Sequence, residues 1–139
     1  MKRLNEIIPK GFIYNYNKTK DGVYYTIMSS NGWALGTIYF YFDDATTLYL
    51  AGLSVEELHR GCGLATKILD IFEEFGTEAG YKCLRLEAEK DSWVQDWYTR
   101  RGFVEHPSEY AILNHIFPDE TEIWMKKELK QNNKDGFKD

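Results

Sequence analysis

The residues best placed to do chemistry lie between Leu53 and Thr66, where the sequence reads Leu-Ser-Val-Glu-Glu-Leu-His-Arg-Gly-Cys-Gly-Leu-Ala-Thr. A stretch of strand character runs into a short loop, and a glycine-rich segment opens an amphipathic helix. The first turn of a helix has backbone N–H groups without intrahelical acceptors and carries a partial positive charge. Glycines at that point let an anion approach the main chain closely, which makes a phosphate cradle. Gly61 and Gly63 supply this freedom, Arg60 a fixed charge and Thr66 a hydroxyl. The GxxxxGK[ST] spacing of a P-loop is absent, and no third glycine stands at 66 to complete a dinucleotide fingerprint. Taken alone, Arg60-x-x-Gly63-x-Ala65 fits a glycine-eased loop ahead of a helix better than a ligand site.

Other reactive side chains are sparse. Cys62 falls at the helix start, where a thiol pKa is lowered. Cys62 and Cys83 form neither a CxxC spacing nor a disulfide scaffold, and His59, His106 and His115 have no partner spacing, so no metal site is expected. His59 reads as a surface residue. Arg100-Arg101 and Lys126-Lys127 read as solvated faces.

These residues must be positioned by two unlike halves. Before residue 56 the segments Phe12 to Tyr16, Val23 to Met28, Trp33 to Phe42 and Thr47 to Val55 are aromatic and β-branched, which predicts strands. Asp21-Gly22, Asn31-Gly32 and Asp43-Asp44 separate them, and Asn31-Gly32 predicts a type I′ hairpin turn. Trp33 to Phe42 carries large apolar groups on both faces, so it is expected to be covered on both sides, with the aromatics as core rather than a ligand box. Beyond residue 56, Leu64, Ile68, Ile71, Phe72 and Phe75 follow the spacing of one helix face, with Gly76 and Gly80 bracketing its exit. Cys83 to Glu89 alternates as a strand. Asp91 or Ser92 caps a short helix that Gly102 stops. Strands are predicted at Gly102-Phe103-Val104 and from Glu122 to Leu129, and Lys2 to Ile8 is the candidate helix of the N-terminal part. The stretch from His106 to Glu120 is unassigned, and 130–139 reads as a polar tail.

The composition bounds the reading. The 139 residues fit one domain, taken as 1–129, large enough to bury about two thirds of its unfolded surface. A net charge of −5 argues against nucleic acid and mildly favours cationic partners. No apolar run approaches the roughly 20 residues of a membrane span, and no apolar signal core follows Met1-Lys2-Arg3. A cytoplasmic enzyme or binding module is expected.

The sequence resembles the GNAT superfamily of acyl-CoA-dependent N-acyltransferases. Its [RQ]-x-x-G-x-[GA] signature stands here as Arg60-Gly61-Cys62-Gly63-Leu64-Ala65, preceded by Leu53-x-Val55. Tyr98-Thr99-Arg100-Arg101-Gly102-Phe103 is similar to the family's Y-x-x-x-G-F, and Trp124 to Leu129 looks like its closing strand. The likeness runs from about Trp33 to Leu129.

The resemblance implies an α+β fold, a mixed, mostly antiparallel sheet flanked by helices, and acetyl-CoA as co-substrate without a metal. Its pyrophosphate would rest on the main chain of Arg60, Gly61, Cys62, Gly63, Leu64 and Ala65, with Thr66 beside them. The pantetheine arm would pair with Leu53, Ser54 and Val55, splayed from the strand Leu84 to Glu89, and an N–H near Leu53 would hold the oxyanion. Tyr98 matches the general acid used by relatives; the alternative is a buried ring with a hydrogen-bonded hydroxyl. Glu87 and Glu89 share a strand face near the implied cleft, either as the base for an amine acceptor or as a solvated strand end. Asp91 stands near an asparagine that touches the pantetheine arm in relatives. Helices that usually shape the acceptor pocket find no counterpart in residues 10 to 42, so the acceptor site is expected to be shallow, completed by 105–120, or shared in a homodimer. The competing class is a non-catalytic acyl-CoA-binding module. The acceptor, a small-molecule or protein amine, stays open.

Overall fold

The computed structural model describes residues 12–56, 63–106 and 121–130. Seven strands, β1 (Phe12–Lys18), β2 (Gly22–Ser29), β3 (Ala34–Phe42), β4 (Thr47–Val55), β5 (Cys83–Glu89), β6 (Val104–Glu105) and β7 (Glu122–Glu128), form one sheet in the order β1-β2-β3-β4-β5-β7-β6. Helix α1 (Leu64–Glu78) connects β4 to β5, and α2 (Trp93–Arg100) follows β5. The fold is α+β with a mostly antiparallel sheet, and β4 with β5 is the parallel pair. The candidate helix at Lys2 to Ile8, most of the unassigned stretch after His106 and the end of the tail lie outside the described residues.

Local chemistry explains the joints. Between β2 and β3, Gly32 takes φ 92°, Asn31 keeps a negative φ and the Gly32 N–H donates to the Ser29 carbonyl at 2.9 Å. This is a turn followed by one left-handed residue, not the predicted type I′, because a single glycine supplies the positive φ. Gly76 lies inside α1 rather than at its exit. A Cβ there would stand 2.8 Å from Leu129 Cδ1 and 3.3 Å from Leu48 and Leu84, so glycine lets the helix settle on the sheet. Gly80, at φ 84°, is the true exit.

The core fills the space between α1 and one sheet face. Ile27, Ile38, Phe40, Leu48, Leu84 and Leu86 meet Ile68, Leu69 and Phe72, with the Phe40 ring 4.9 Å from Phe72 and 5.2 Å from Phe75. The opposite face differs from the double coverage expected of Trp33 to Phe42. It is closed at Leu35, which is 4% exposed, and open at Tyr41, which is 40% exposed. The aromatics accordingly divide: Tyr25 and Phe40 enter the core, whereas Tyr24 and Tyr41 stand on the far face.

Candidate active site

The sheet parts in its middle. β4 and β5 pair in parallel at Thr47–Cys83, Leu48–Leu84 and Tyr49–Arg85, and their remaining residues have no register with each other. Just beyond this point Ala51 is a bulge, since Phe40 faces Leu50 and Tyr39 faces Gly52. Burial falls with pairing: Leu48 and Leu50 are buried, while Ala51, Gly52 and Ser54 are exposed. The far half of β4 therefore presents main chain toward a widening groove whose other wall is Leu86 to Glu89.

The predicted site residues that the structure describes fall on β4, the start of α1, β5, the turn after β5 and α2. Leu53 and Val55 lean on the core, and the Ser54 hydroxyl is hydrogen-bonded to that of Thr37 at 2.8 Å. Arg60, Gly61 and Cys62, with His59, lie outside the described residues. Gly63 is the N-cap of α1 at φ 86°; no side chain caps this helix start and no acidic residue occupies the first turn. The amides of Leu64, Ala65 and Thr66 thus open the helix with a partial positive charge.

Glu87 and Glu89 lie past the parting on the far face of β5, both exposed. The Trp124 indole N–H donates to Glu87 Oε2 at 3.1 Å. The pair was not legible beforehand, because it depends on the β5–β7 register that sets Glu87 opposite Trp124. Tyr49 projects onto the same face. Burial, with the carboxylates of Glu87, Asp43 and Glu122 nearby, pushes its hydroxyl up to about 12.

Tyr98 is 7% exposed, wedged edge-on between Trp97 and Phe103 at 5.1 and 5.5 Å. Burial pushes its hydroxyl up to about 12, so the phenol keeps its proton at neutral pH. Its carbonyl accepts from the Arg101 and Phe103 N–H groups at 3.0 and 3.1 Å, which fixes the turn at Gly102, φ 97°. Asp91 takes φ 58°, a left-handed conformation that aspartate tolerates, and its N–H donates to Gln95 Oε1. Ser92, not Asp91, caps α2 by accepting from the Gln95 N–H.

Two basic pairs depart from the solvated faces expected of them. Arg101 lies 4.4 Å over the Trp97 ring and donates to the Trp97 carbonyl and the Thr66 hydroxyl. Lys127 pairs with Glu73 of α1 at 2.9 Å, and Lys126 with Glu128 at 2.8 Å. Among the described residues no group of three or more His, Cys, Asp or Glu is arranged to hold a metal, and no helix is long and apolar enough to cross a membrane.

A sheet parted between parallel strands leaves a strand edge, and the uncapped helix start leaves backbone amides, both open to a ligand that is extended and anionic at one end. Residues 4–103 match the model of the acetyltransferase (GNAT) family, and the chain belongs to that family. It is accordingly an acyltransferase by class. Solved structures of the same fold include an acetyltransferase from Streptococcus agalactiae 2603 (13% identity, TM-score 0.71, 87% of this chain and 100% of that one). A GNAT family acetyltransferase from Elizabethkingia anophelis, with acetyl-CoA bound, superposes at TM-score 0.68 with 16% identity over 87% of this chain and 100% of that one. An IAA acetyltransferase from Bacillus cereus ATCC 14579 gives 0.66 and 15% over 85% and 99%. No curated protein matches the sequence.

Proposed function

We propose that the protein is an N-acetyltransferase that moves the acetyl group of acetyl-CoA to an amine. The observation that carries this reading is the parting of β4 from β5 after Tyr49–Arg85, next to the uncapped start of α1 at Gly63. The bound acetyl-CoA of the Elizabethkingia relative supports the choice of co-substrate. Leu53, Ser54 and Val55 offer the pantetheine arm a strand edge, and because the Ser54 side chain is engaged by Thr37, that contribution is main-chain. Gly63, Leu64, Ala65 and Thr66, with Arg60, Gly61 and Cys62 ahead of them, offer amides to the pyrophosphate. The Thr66 hydroxyl accepts from Arg101 and keeps its own proton to donate. Asp91 serves this reading through the turn it makes between the groove and α2.

The chemistry is direct transfer. An amine with a pKa near 10.4 first loses a proton, with Glu87 or Glu89 as acceptor through water. The nitrogen lone pair then forms the C–N bond at the thioester carbonyl, and the oxyanion is met by an N–H near Leu53. The C–S bond breaks, and the thiolate takes a proton from Tyr98, whose burial keeps it protonated until then. The amide nitrogen's excess proton returns to Tyr98 through solvent, so one proton is released per turnover.

Titrating acetyl-CoA calorimetrically and following free thiol with an amine panel tests this. Binding with thiol release in step with acetylated amine is expected. Binding without turnover of any amine would leave a non-catalytic acyl-CoA module instead.

A further inference from the structure

The far face of the sheet carries a feature that acetyl transfer from a groove does not require. Tyr24 on β2, Tyr39 and Tyr41 on β3 and Tyr49 on β4 fall on this one face by register, because Tyr24 is opposite Tyr39 and Tyr41 opposite Tyr49. Successive ring centroids are 5.2, 4.9 and 6.3 Å apart. The four rings form an oblique track across three strands, a span of about 10 Å between β2 and β4 by strand spacing. Tyr24 and Tyr41 are 45% and 40% exposed. The track ends beside the parting of β4 and β5, where Glu87 stands on the same face.

Two exposed rings, Tyr24 and Tyr41, continued by the half-buried Tyr39 and Tyr49, make an aromatic surface that suits a partner. Their charge surroundings say what kind. Asp21 acts on Tyr39, and Asp43, Glu87 and Glu122 act on Tyr49. The basic residues of this face are outnumbered by these carboxylates: Arg85 donates to the His106 carbonyl at 3.1 Å and acts on Asp43, and Lys126 pairs with Glu128. The ion pairs among the described residues leave Glu87 without a cationic partner. Its carboxylate is instead held by the Trp124 indole N–H, and Trp124 is 9% exposed yet outside the core that packs on α1. Ring faces attract ammonium groups, and a carboxylate fixed at one oxygen leaves the other to accept from them.

We infer that the acceptor is a linear polyamine, laid along Tyr24, Tyr39, Tyr41 and Tyr49, with one ammonium anchored at Glu87 while another amine reaches the groove, which leaves Glu89 as the proton acceptor. This rests on the acetyltransferase reading and adds the substrate class. A monoamine held by Glu87 as its ammonium would lack a lone pair for attack; an acceptor with several amino groups separates anchoring from reaction. Trp124 acts as a positioning residue through Glu87.

The experiment uses the full chain, acetyl-CoA and three acceptors: spermidine, n-butylamine and a peptide with a single lysine. Spermidine is expected to exceed n-butylamine in kcat/KM by roughly tenfold or more, the scale of a few cation–π and charge contacts at a partly exposed face. Its KM should rise with ionic strength more steeply than that of n-butylamine. Tyr41→Ser, at an exposed position, and Trp124→Phe, which removes the indole N–H, should each lower the spermidine-to-butylamine ratio several-fold while the KM for acetyl-CoA holds. Equal use of n-butylamine, preference for the peptide, or a ratio unmoved in both variants would overturn the inference and leave acetyl transfer standing. Absence of acetyl-CoA binding would remove both.

Discussion

Arg101 Nη2 donates to Thr66 Oγ1 at 3.0 Å, joining the end of α2 to the first turn of α1. The two helices carry the proposed acid and the proposed pyrophosphate site, so this contact sets the distance between them. Arg101 Nε is buried without a hydrogen-bond partner, and the guanidinium relies on Thr66, the Trp97 carbonyl and the Trp97 ring. Thr66→Val keeps the shape and removes the acceptor. It should cost about 1–3 kcal/mol, the penalty for a partly buried donor left unpaired, and raise the KM for acetyl-CoA. Urea denaturation and initial-rate kinetics check both.

Tyr98→Phe preserves the ring between Trp97 and Phe103 and deletes only the hydroxyl. Turnover should fall by about 10²–10⁴-fold, the usual contribution of a positioned acid, while calorimetric affinity for acetyl-CoA stays within about twofold. Unchanged turnover would return Tyr98 to a packing role.

Alkaline behaviour follows from the buried phenols. Tyr98 and Tyr49 have folded-state pKa values raised from 10.0 to about 12. Protonated phenol is the form the fold favours, so this stabilisation is fully present below pH 10 and is lost as pH rises from 10 to 12. Chemical denaturation should show stability falling across that window, and the phenolate absorbance should lag behind that of exposed tyrosines. Tyr98→Phe should make the fall shallower.

Gly36 explains how α1 reaches the groove. A Cβ there would lie 2.5 Å from Ile68 Cδ1 and 3.0 Å from the Ser54 carbonyl oxygen, so glycine brings helix and β4 together at one point. Gly36→Ala should cost about 1–3 kcal/mol through overpacking and weaken acetyl-CoA binding, because both proposed binding segments must shift. Gly63→Val acts differently: nothing lies within 4 Å of its Cβ position, but φ 86° is strained for valine, and acetyl-CoA binding should be lost. Calorimetry on both variants separates the two causes.

What the sequence disclosed was local. The Leu64, Ile68, Ile71, Phe72 stripe predicted α1, and alternation in Cys83 to Glu89 predicted β5, because each pattern is written in consecutive residues. The Asn31-Gly32 dipeptide does not decide the turn type, because it permits but does not force positive φ at Asn31. Gly76 looked like a helix end because glycine usually is one; its packing partners, Leu48, Leu84 and Leu129, are distant in sequence. The parting of β4 from β5, the Glu87–Trp124 pair and the tyrosine track all depend on register between strands, and no single segment encodes them.

The parted sheet has its weakest seam at its centre rather than at an edge. β1 to β4 and β5 to β7 form two blocks joined at three residue pairs, and past Tyr49 and Arg85 the two strands give each other no ladder. A ligand pairing with β4 in that seam is a structural member as well as a reactant. At a hundredfold excess over its dissociation constant it would add about 2.7 kcal/mol against opening. The resistance of this chain to proteolysis should then follow the supply of its own acyl donor, coupling how long the enzyme survives to whether it has anything to transfer.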